Sequence, residues 1–315
     1  MRDLLVGSTG FVGGNLKDSH LFSAVCHSAD VGNYYGMRPD LCVYAGIPSA
    51  MFLADTDPDR DLGIMKNALI NLREINPVDL VLISTIAVYP DSRKRNEESP
   101  MITEGLSVYG KNRLWLEEQV RREFPEALII RLPALYGKGL KKNFLFDLQR
   151  IIPSMLKKEK YEELSLESAE VRESYVPGSN GFYCLNPESD TEKLRTFFEN
   201  SSFNALSFTD SRSRFQFYNL SRLWDDIAIA LTHGLKVLNL CTPPVSAHDV
   251  YFFATGKEWQ NLLNQKPYDY DLRSIHYPLF RGRDGYLCTK EEELTDIRRF
   301  LESGNGGNHV QMFRQ

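Results

Sequence analysis

The chain has 315 residues, of which 42% are hydrophobic and 25% charged, with a net charge of −5. That balance fits a soluble globular protein with enough apolar material for two domains, or for one large domain and a smaller lobe. No lysine/arginine run is long enough to follow a phosphate backbone, and the cluster Lys138, Lys141 and Lys142 suits a small anion, so a nucleic-acid partner is excluded.

No apolar stretch approaches the roughly 20 residues a bilayer span needs, so no membrane partner is expected. Met1-Arg2-Asp3 runs straight into a short strand, which predicts no signal peptide and a cytoplasmic location. Cys26, Cys42, Cys184, Cys241 and Cys288 form no CxxC pair and no metal-ligand spacing. They read as free thiols in a reduced compartment, and no metal site is expected.

In chain order, Asp3–Val6 is a short strand ending at Gly7, and Phe11–Leu16 opens a helix. Phe22–Cys26 and Asp40–Ala45 are further strands, with little room for a helix between them. Leu62, Met65, Leu69 and Leu72 keep helical spacing, which predicts an amphipathic helix over Asp61–Ile75. Val78–Ser84 and Ala127–Leu132 are apolar runs typical of strands covered on both faces, and Tyr109–Phe124 between them is helical. Strands alternating with helices define an α/β protein, a Rossmann-type doubly wound parallel sheet, with a smaller C-terminal substrate lobe.

Beyond Gly137 the pattern loosens, with turn signals at Pro177-Gly178 and Ser179-Asn180-Gly181. Phe215–Leu220 and Lys236–Cys241 read as strands. Ser221 and Ser246 are candidate helix caps, and Thr289 with Glu292 has capping-box spacing. The tail from Ser303 is expected to fray. The expected division is residues 1–137 for the dinucleotide-type domain, with 234–256 returning to it, and 138–233 with 257–315 for the lobe.

The segment Gly7-Ser8-Thr9-Gly10-Phe11-Val12-Gly13 follows a strand and opens a helix. Three glycines there allow a tight turn, close approach of backbone to a pyrophosphate, and close packing of helix on strand. The helix start favours the phosphate charge. A purely structural turn is the alternative.

The spacing GxxGxxG, with the residues that follow it, resembles the extended short-chain dehydrogenases/reductases, a family of nucleotide-sugar epimerases, dehydratases and reductases. The resemblance implies NAD or NADP as cofactor. It places Ala45 and Gly46 after the third strand, Ser84 at the end of the fourth and Pro133 after the fifth beside that cofactor. Asp30-Val31 is similar to the family's adenine-contacting pair; a solvated turn residue is the alternative for Asp30. No acid stands at the ribose position, so NAD and NADP remain equal.

Ser84-Thr85-Ile86-Ala87-Val88-Tyr89 is similar to the family's S-[ST]-x-x-V-Y motif, which implies that Thr85 binds the substrate oxygen. Tyr109-Gly110-Lys111-Asn112-Arg113, with Glu117, resembles the helix Y-G-x-[ST]-K-x-x-x-E, but Arg113 replaces the lysine. Residues i and i+4 share a helix face, so a cation at 113 lies beside the Tyr109 ring and favours phenolate. Arg113 would also hold the nicotinamide ribose. Arginine is bulkier and relays no proton, so the site is tuned, slowed or silent; a core tyrosine is the alternative for Tyr109.

Arg131–Lys138 resembles the family's R-x-x-x-x-Y-G-P segment, which leads into the substrate lobe. Asn143 and Phe144 are candidates for a substrate-facing loop, or else helix start and core. Arg281 and Arg283 are candidates for a diphosphate, or else a solvated loop. Ile86 and Ala87 stand where dehydratases carry an acid pair, and epimerase-reductases carry a cysteine at the Ala87 position. What the resemblance leaves is hydride transfer at a carbinol/ketone carbon of a nucleotide sugar, by 4-epimerisation or ketone reduction. The alternatives are a reductase of another small carbonyl and a weakly active NAD(P)-binding protein. Family members pair helices corresponding to 61–76 and 108–124, which implies a homodimer; Leu116, Val120 and Phe124 are spaced along one face that would meet the second copy or else pack inward on the sheet.

Overall fold

A computed structural model describes residues 2–178 and 181–303 of the chain. Ser179 and Asn180, read above as part of a turn, and the tail 304–315 lie outside the described residues. The chain divides into two units: Met1–Lys138, Arg214–Val245 and Asp269–Asp296 form the first, and Gly139–Ser213, Ser246–Tyr268 and Ile297–Gln315 the second.

In the first unit β1 (Asp3–Val6) leads through α1 (Phe11–Ser19) to β2 (Ala24–Cys26). On the other side of β1 lie β3 (Leu41–Tyr44), β4 (Asp79–Thr85) and β5 (Leu128–Leu132). With Val237–Asn239 beyond β5 the sheet has six strands, ordered 237–239, β5, β4, β3, β1, β2. Every pairing is parallel. The strand order reverses between β1 and β3, the switch point at which open sheets of this kind present a crevice at their C-terminal edge.

The apolar strand sequences follow from burial on both faces. Leu5 points into one core with Leu16, Leu223 and Ile227, while Leu4 and Val6 point into the other with Met65, Leu69, Leu72 and Leu116. Alternate residues of a strand face opposite sides, so neither face tolerates a polar stripe. Between β2 and β3 the chain has only a 3-10 turn, Val31–Tyr34, in line with the short spacing.

The short helix α2 (Met51–Thr56), unforeseen in the sequence, precedes α3 (Pro58–Ile75). The latter starts three residues before the predicted Asp61, because Asp57 caps it by accepting from the Arg60 amide at 3.1 Å and Pro58 suits the first turn. In α4 (Val108–Glu123), Ser107 caps by accepting from the Gly110 amide at 3.1 Å. Leu116 and Val120 are buried against the sheet with Phe124 beside them, so the face expected to meet a second copy is filled within the chain.

The segment 214–233 was expected in the lobe and instead builds the first unit. Phe217–Asn219 pairs in parallel with β6 (Ala134–Tyr136), and Leu220, Leu223, Ile227 and Ala230 fill the core under the sheet. Residues 269–296 also belong here, whereas 246–256, expected to return to the sheet, lie in the second unit. Ser221 caps nothing: Asn219 accepts from its amide at 3.0 Å and starts a 3-10 turn, Leu220–Arg222, ahead of the helix Leu223–Thr232. The predicted box at Thr289 forms, with the Thr289 amide donating to Glu292 at 2.8 Å and the Glu292 amide to Thr289 Oγ1 at 3.2 Å.

The second unit carries a three-stranded antiparallel sheet, ordered Met155–Lys157, Phe182–Leu185, Tyr175–Pro177. Its helices include Phe144–Arg150, Lys158–Glu167, Thr191–Asn200 and Ala247–Thr255, the last capped by Ser246 with Asp249 in a capping box. Burial pushes the Asp147 carboxyl up to about 7. An unfolded aspartate ionises near pH 4 (about 3.9), so between there and about 7 the folded form binds more protons and stability falls as pH rises. Asp147→Asn removes that loss: its melting temperature relative to wild type should climb between acid and mildly alkaline pH. A constant difference across the range would contradict this.

All five cysteines are unpaired. Among the described residues no cluster of histidine, cysteine and acids could hold a metal, and no helix is long and apolar enough to cross a membrane.

Candidate active site

The C-terminal edge of the sheet brings the sequence motifs together. Gly7 leaves β1 with φ +91°, and a Cβ there would stand 2.6 Å from the Ala45 carbonyl oxygen and from the Gly46 backbone after β3. A Cβ on Gly13 would stand 2.1 Å from the Gly7 carbonyl oxygen, so this glycine lets α1 sit against the turn. Gly10 gives α1 no side-chain cap, and the first turn carries no acid. An uncapped helix start of this kind is a ready anion site, and the glycine cradle fits a dinucleotide pyrophosphate. Phe11 and Val12, partly buried, pack against the core, and Thr9 meets His27 Nδ1 at 2.9 Å. Gly13→Ala forces the helix off the turn. It should lose about 1–3 kcal/mol in denaturant unfolding and also lose whatever affinity the turn has for dinucleotides; unchanged unfolding and binding would contradict the packing role.

At the end of β4, Thr85 accepts from the Ala87 amide at 3.2 Å and stands near the Tyr109 hydroxyl. Gly110 allows this approach, since a Cβ on it would lie 2.2 Å from the Ala87 carbonyl oxygen. The Arg113 guanidinium lies 3.9 Å from the centre of the Tyr109 ring, so the i,i+4 geometry read from the sequence holds. Arg113 favours phenolate as read, but it is outweighed. Burial raises the Tyr109 pKa, Arg113 opposes this, and the Asp61 carboxylate adds to the rise, so the hydroxyl stays above its ordinary range.

Arg113 is also committed elsewhere. One terminal nitrogen donates to Asp61 Oδ2, and the other donates to the Pro48 carbonyl at 2.7 Å. This differs from a cation free to hold a ribose. Asp61 was not singled out in the sequence, although a signal existed: it shares a helix face with Met65 and Leu69, where a charge has no reason to be unless it is paired.

Behind Thr85 lies a buried polar network. Glu117 is 0% exposed and Arg131 1%. Glu117 accepts from Ser84 Oγ at 2.6 Å and from Arg131 Nη2 at 2.6 Å, and Arg131 Nη1 donates to the Tyr89 hydroxyl at 2.6 Å. Burial pushes the Tyr89 phenol up to about 12, against the pull of Arg131. The network fixes the ends of β4 and β5 and the start of the segment through Pro133. Asn15 on α1, also missed, donates to the Lys138 carbonyl at 2.9 Å and accepts from its amide at 3.1 Å, which clamps the Tyr136-Gly137-Lys138 turn.

The remaining candidates lie at helix starts and on turns. Asn143, at φ +103°, caps the helix Phe144–Arg150 by accepting from the Leu145 amide at 3.0 Å, and Phe144 is buried. Both therefore follow the helix-start-and-core reading. Arg281 and Arg283 are exposed on the turn before Tyr286. Lys138 of the basic cluster is paired with Asp18 at 2.8 Å. Asp30 is exposed at the start of the 3-10 turn after β2.

A parallel sheet with a glycine turn after its first strand and a threonine–tyrosine pair at the same edge is the arrangement of the extended short-chain dehydrogenases/reductases. Within that class the chain belongs to the family described as RmlD substrate binding domain, whose model matches residues 1–160. Sequence comparison with curated proteins gives no match.

Among solved structures, the dTDP-4-dehydrorhamnose reductase from Yersinia enterocolitica is 14% identical with a TM-score of 0.62, over 97% of this chain and 100% of that one. RMD from Pseudomonas aeruginosa, complexed with NADPH, is 17% identical with a TM-score of 0.61, over 96% and 100%. The UDP-glucose 4-epimerase from Thermus thermophilus, complexed with NAD, is 12% identical with a TM-score of 0.56, over 98% and 100%.

Proposed function

We propose that the chain is an NAD(P)-dependent reductase acting on a keto group of a nucleotide sugar. The observation that carries this reading is the buried Tyr109 phenol near Thr85, its pKa raised by burial, on the same sheet edge as the glycine turn. A phenol that keeps its proton is a proton donor. Reducing a ketone needs that donor, whereas 4-epimerisation begins by taking a proton from the sugar hydroxyl.

In this reading the Gly7–Gly13 turn holds the dinucleotide pyrophosphate, with Ala45, Gly46, Ser84 and Pro133 lining the rest of its path. The reduced dinucleotide, when bound, supplies the hydride. Thr85 orients the substrate oxygen, and Tyr109 gives it the proton that completes the alcohol. Similarity to reductases and epimerases of dTDP- and UDP-sugars supports the substrate class.

The test is consumption of NADH or NADPH with dTDP-, UDP- and GDP-4-keto-6-deoxy sugars. Oxidation of one reduced dinucleotide with one such sugar is expected. Interconversion of 4-hydroxy sugars with catalytic NAD, and no net consumption, would replace reduction by epimerisation. A second reading, a binding protein with weak turnover, is favoured by one fact: both terminal nitrogens of Arg113 donate to Asp61 and Pro48. Turnover that survives loss of Tyr109 would favour it.

A further inference from the structure

Asp61 is 0% exposed, Arg113 is 4% exposed, and the two form an ion pair beside Tyr109. The carboxylate is held through Oδ2 alone, which also accepts from Asn112 Nδ2 at 2.8 Å, while Oδ1 is buried with no hydrogen-bond partner. A buried carboxylate with an unmet oxygen is a poor stabilising device. Its position relative to the ring is what it offers. It pulls the guanidinium against the tyrosine face and sets a negative charge against the positive one.

We propose that Asp61 is a positioning residue for Tyr109: it holds Arg113 against the face of the phenol ring and offsets its charge. The assignment rests on the reading of Tyr109 as proton donor. It explains how arginine can stand in this helix. A lone cation four residues from the tyrosine promotes phenolate; a guanidinium paired with Asp61 supplies packing and orientation without that effect.

The charged groups facing the phenol are Arg113 from its own helix and Asp61 from α3. Thr85 from β4 is a neutral polar neighbour, and the segment after β3 contributes the Pro48 carbonyl to Arg113.

The test is a pH titration by NMR of protein carrying tyrosine labelled with ¹³C at Cζ, the Tyr109 signal being assigned by its loss in Tyr109→Phe. In Asp61→Asn the Tyr109 signal should titrate about one pH unit or more below wild type. In Arg113→Met, where the carboxylate is left unopposed, it should titrate above wild type. The double variant Asp61→Leu/Arg113→Met, which removes both charges, covers the case in which a lone buried charge prevents folding. It should titrate near wild type. A Tyr109 titration that is unmoved in Asp61→Asn, or double-variant protein that titrates about a unit below wild type, would overturn the assignment. These readouts need no substrate, so they stand apart from failure of the reductase reading, which the dinucleotide-consumption assay reports.

Discussion

Tyr109→Phe should reduce turnover about 10²–10⁴-fold while leaving the melting temperature and dinucleotide affinity close to wild type. The ring packs against Arg113 through its face and is buried mainly as an apolar body, which phenylalanine reproduces. What the substitution removes is the hydroxyl near Thr85. The comparison is made by following reduced-dinucleotide consumption with the best substrate found, alongside thermal unfolding. A variant as active as wild type would remove Tyr109 from the chemistry and leave it as a core residue.

Glu117→Ala should be the most damaging change to stability, at about 3–5 kcal/mol, because it leaves a buried guanidinium without its counter-charge. Arg131 donates to both oxygens of Glu117 and is itself almost fully buried, so water cannot replace the lost partner. Glu117→Leu with Arg131→Met, which removes both charges and keeps the volume, should lose less than Glu117→Ala alone. Urea unfolding of the three proteins checks this. Equal losses would mean that the packing at these positions, rather than the unpaired charge, sets the effect.

The core strands were legible because both faces of the sheet are buried, which leaves unbroken runs such as LVLIS and ALIIRL. The glycine turn was legible because the backbone there admits no Cβ at Gly7 or Gly13. Tyr109, Thr85 and Glu117 could be placed together because a helix and a strand end fix their faces locally.

What lay hidden depends on contacts distant in sequence. Asp61 and Arg113 are 52 residues apart, and only the folded chain shows that the arginine's charge is met. The segment 214–233 reads as ordinary strand and helix. Nothing local says that Leu223 and Ile227 pack under the parallel sheet. The second unit's strands are three or four residues long, too short for alternation to stand out from the charged helices around them. Asn143 and Phe144 stayed open between a substrate-facing loop and a helix start with core, because a cap followed by apolar residues looks the same as a binding loop until burial is known.

The most direct test of the account is thermal stabilisation of the purified protein by NAD, NADH, NADP and NADPH, with Gly13→Ala as control. A dinucleotide at 100 times its Kd should add roughly 2.7 kcal/mol, so one of the four should raise the melting temperature of the wild type and none that of the control. No shift with any of them, in protein shown free of co-purified dinucleotide, would contradict the reading of the glycine turn and the function built on it.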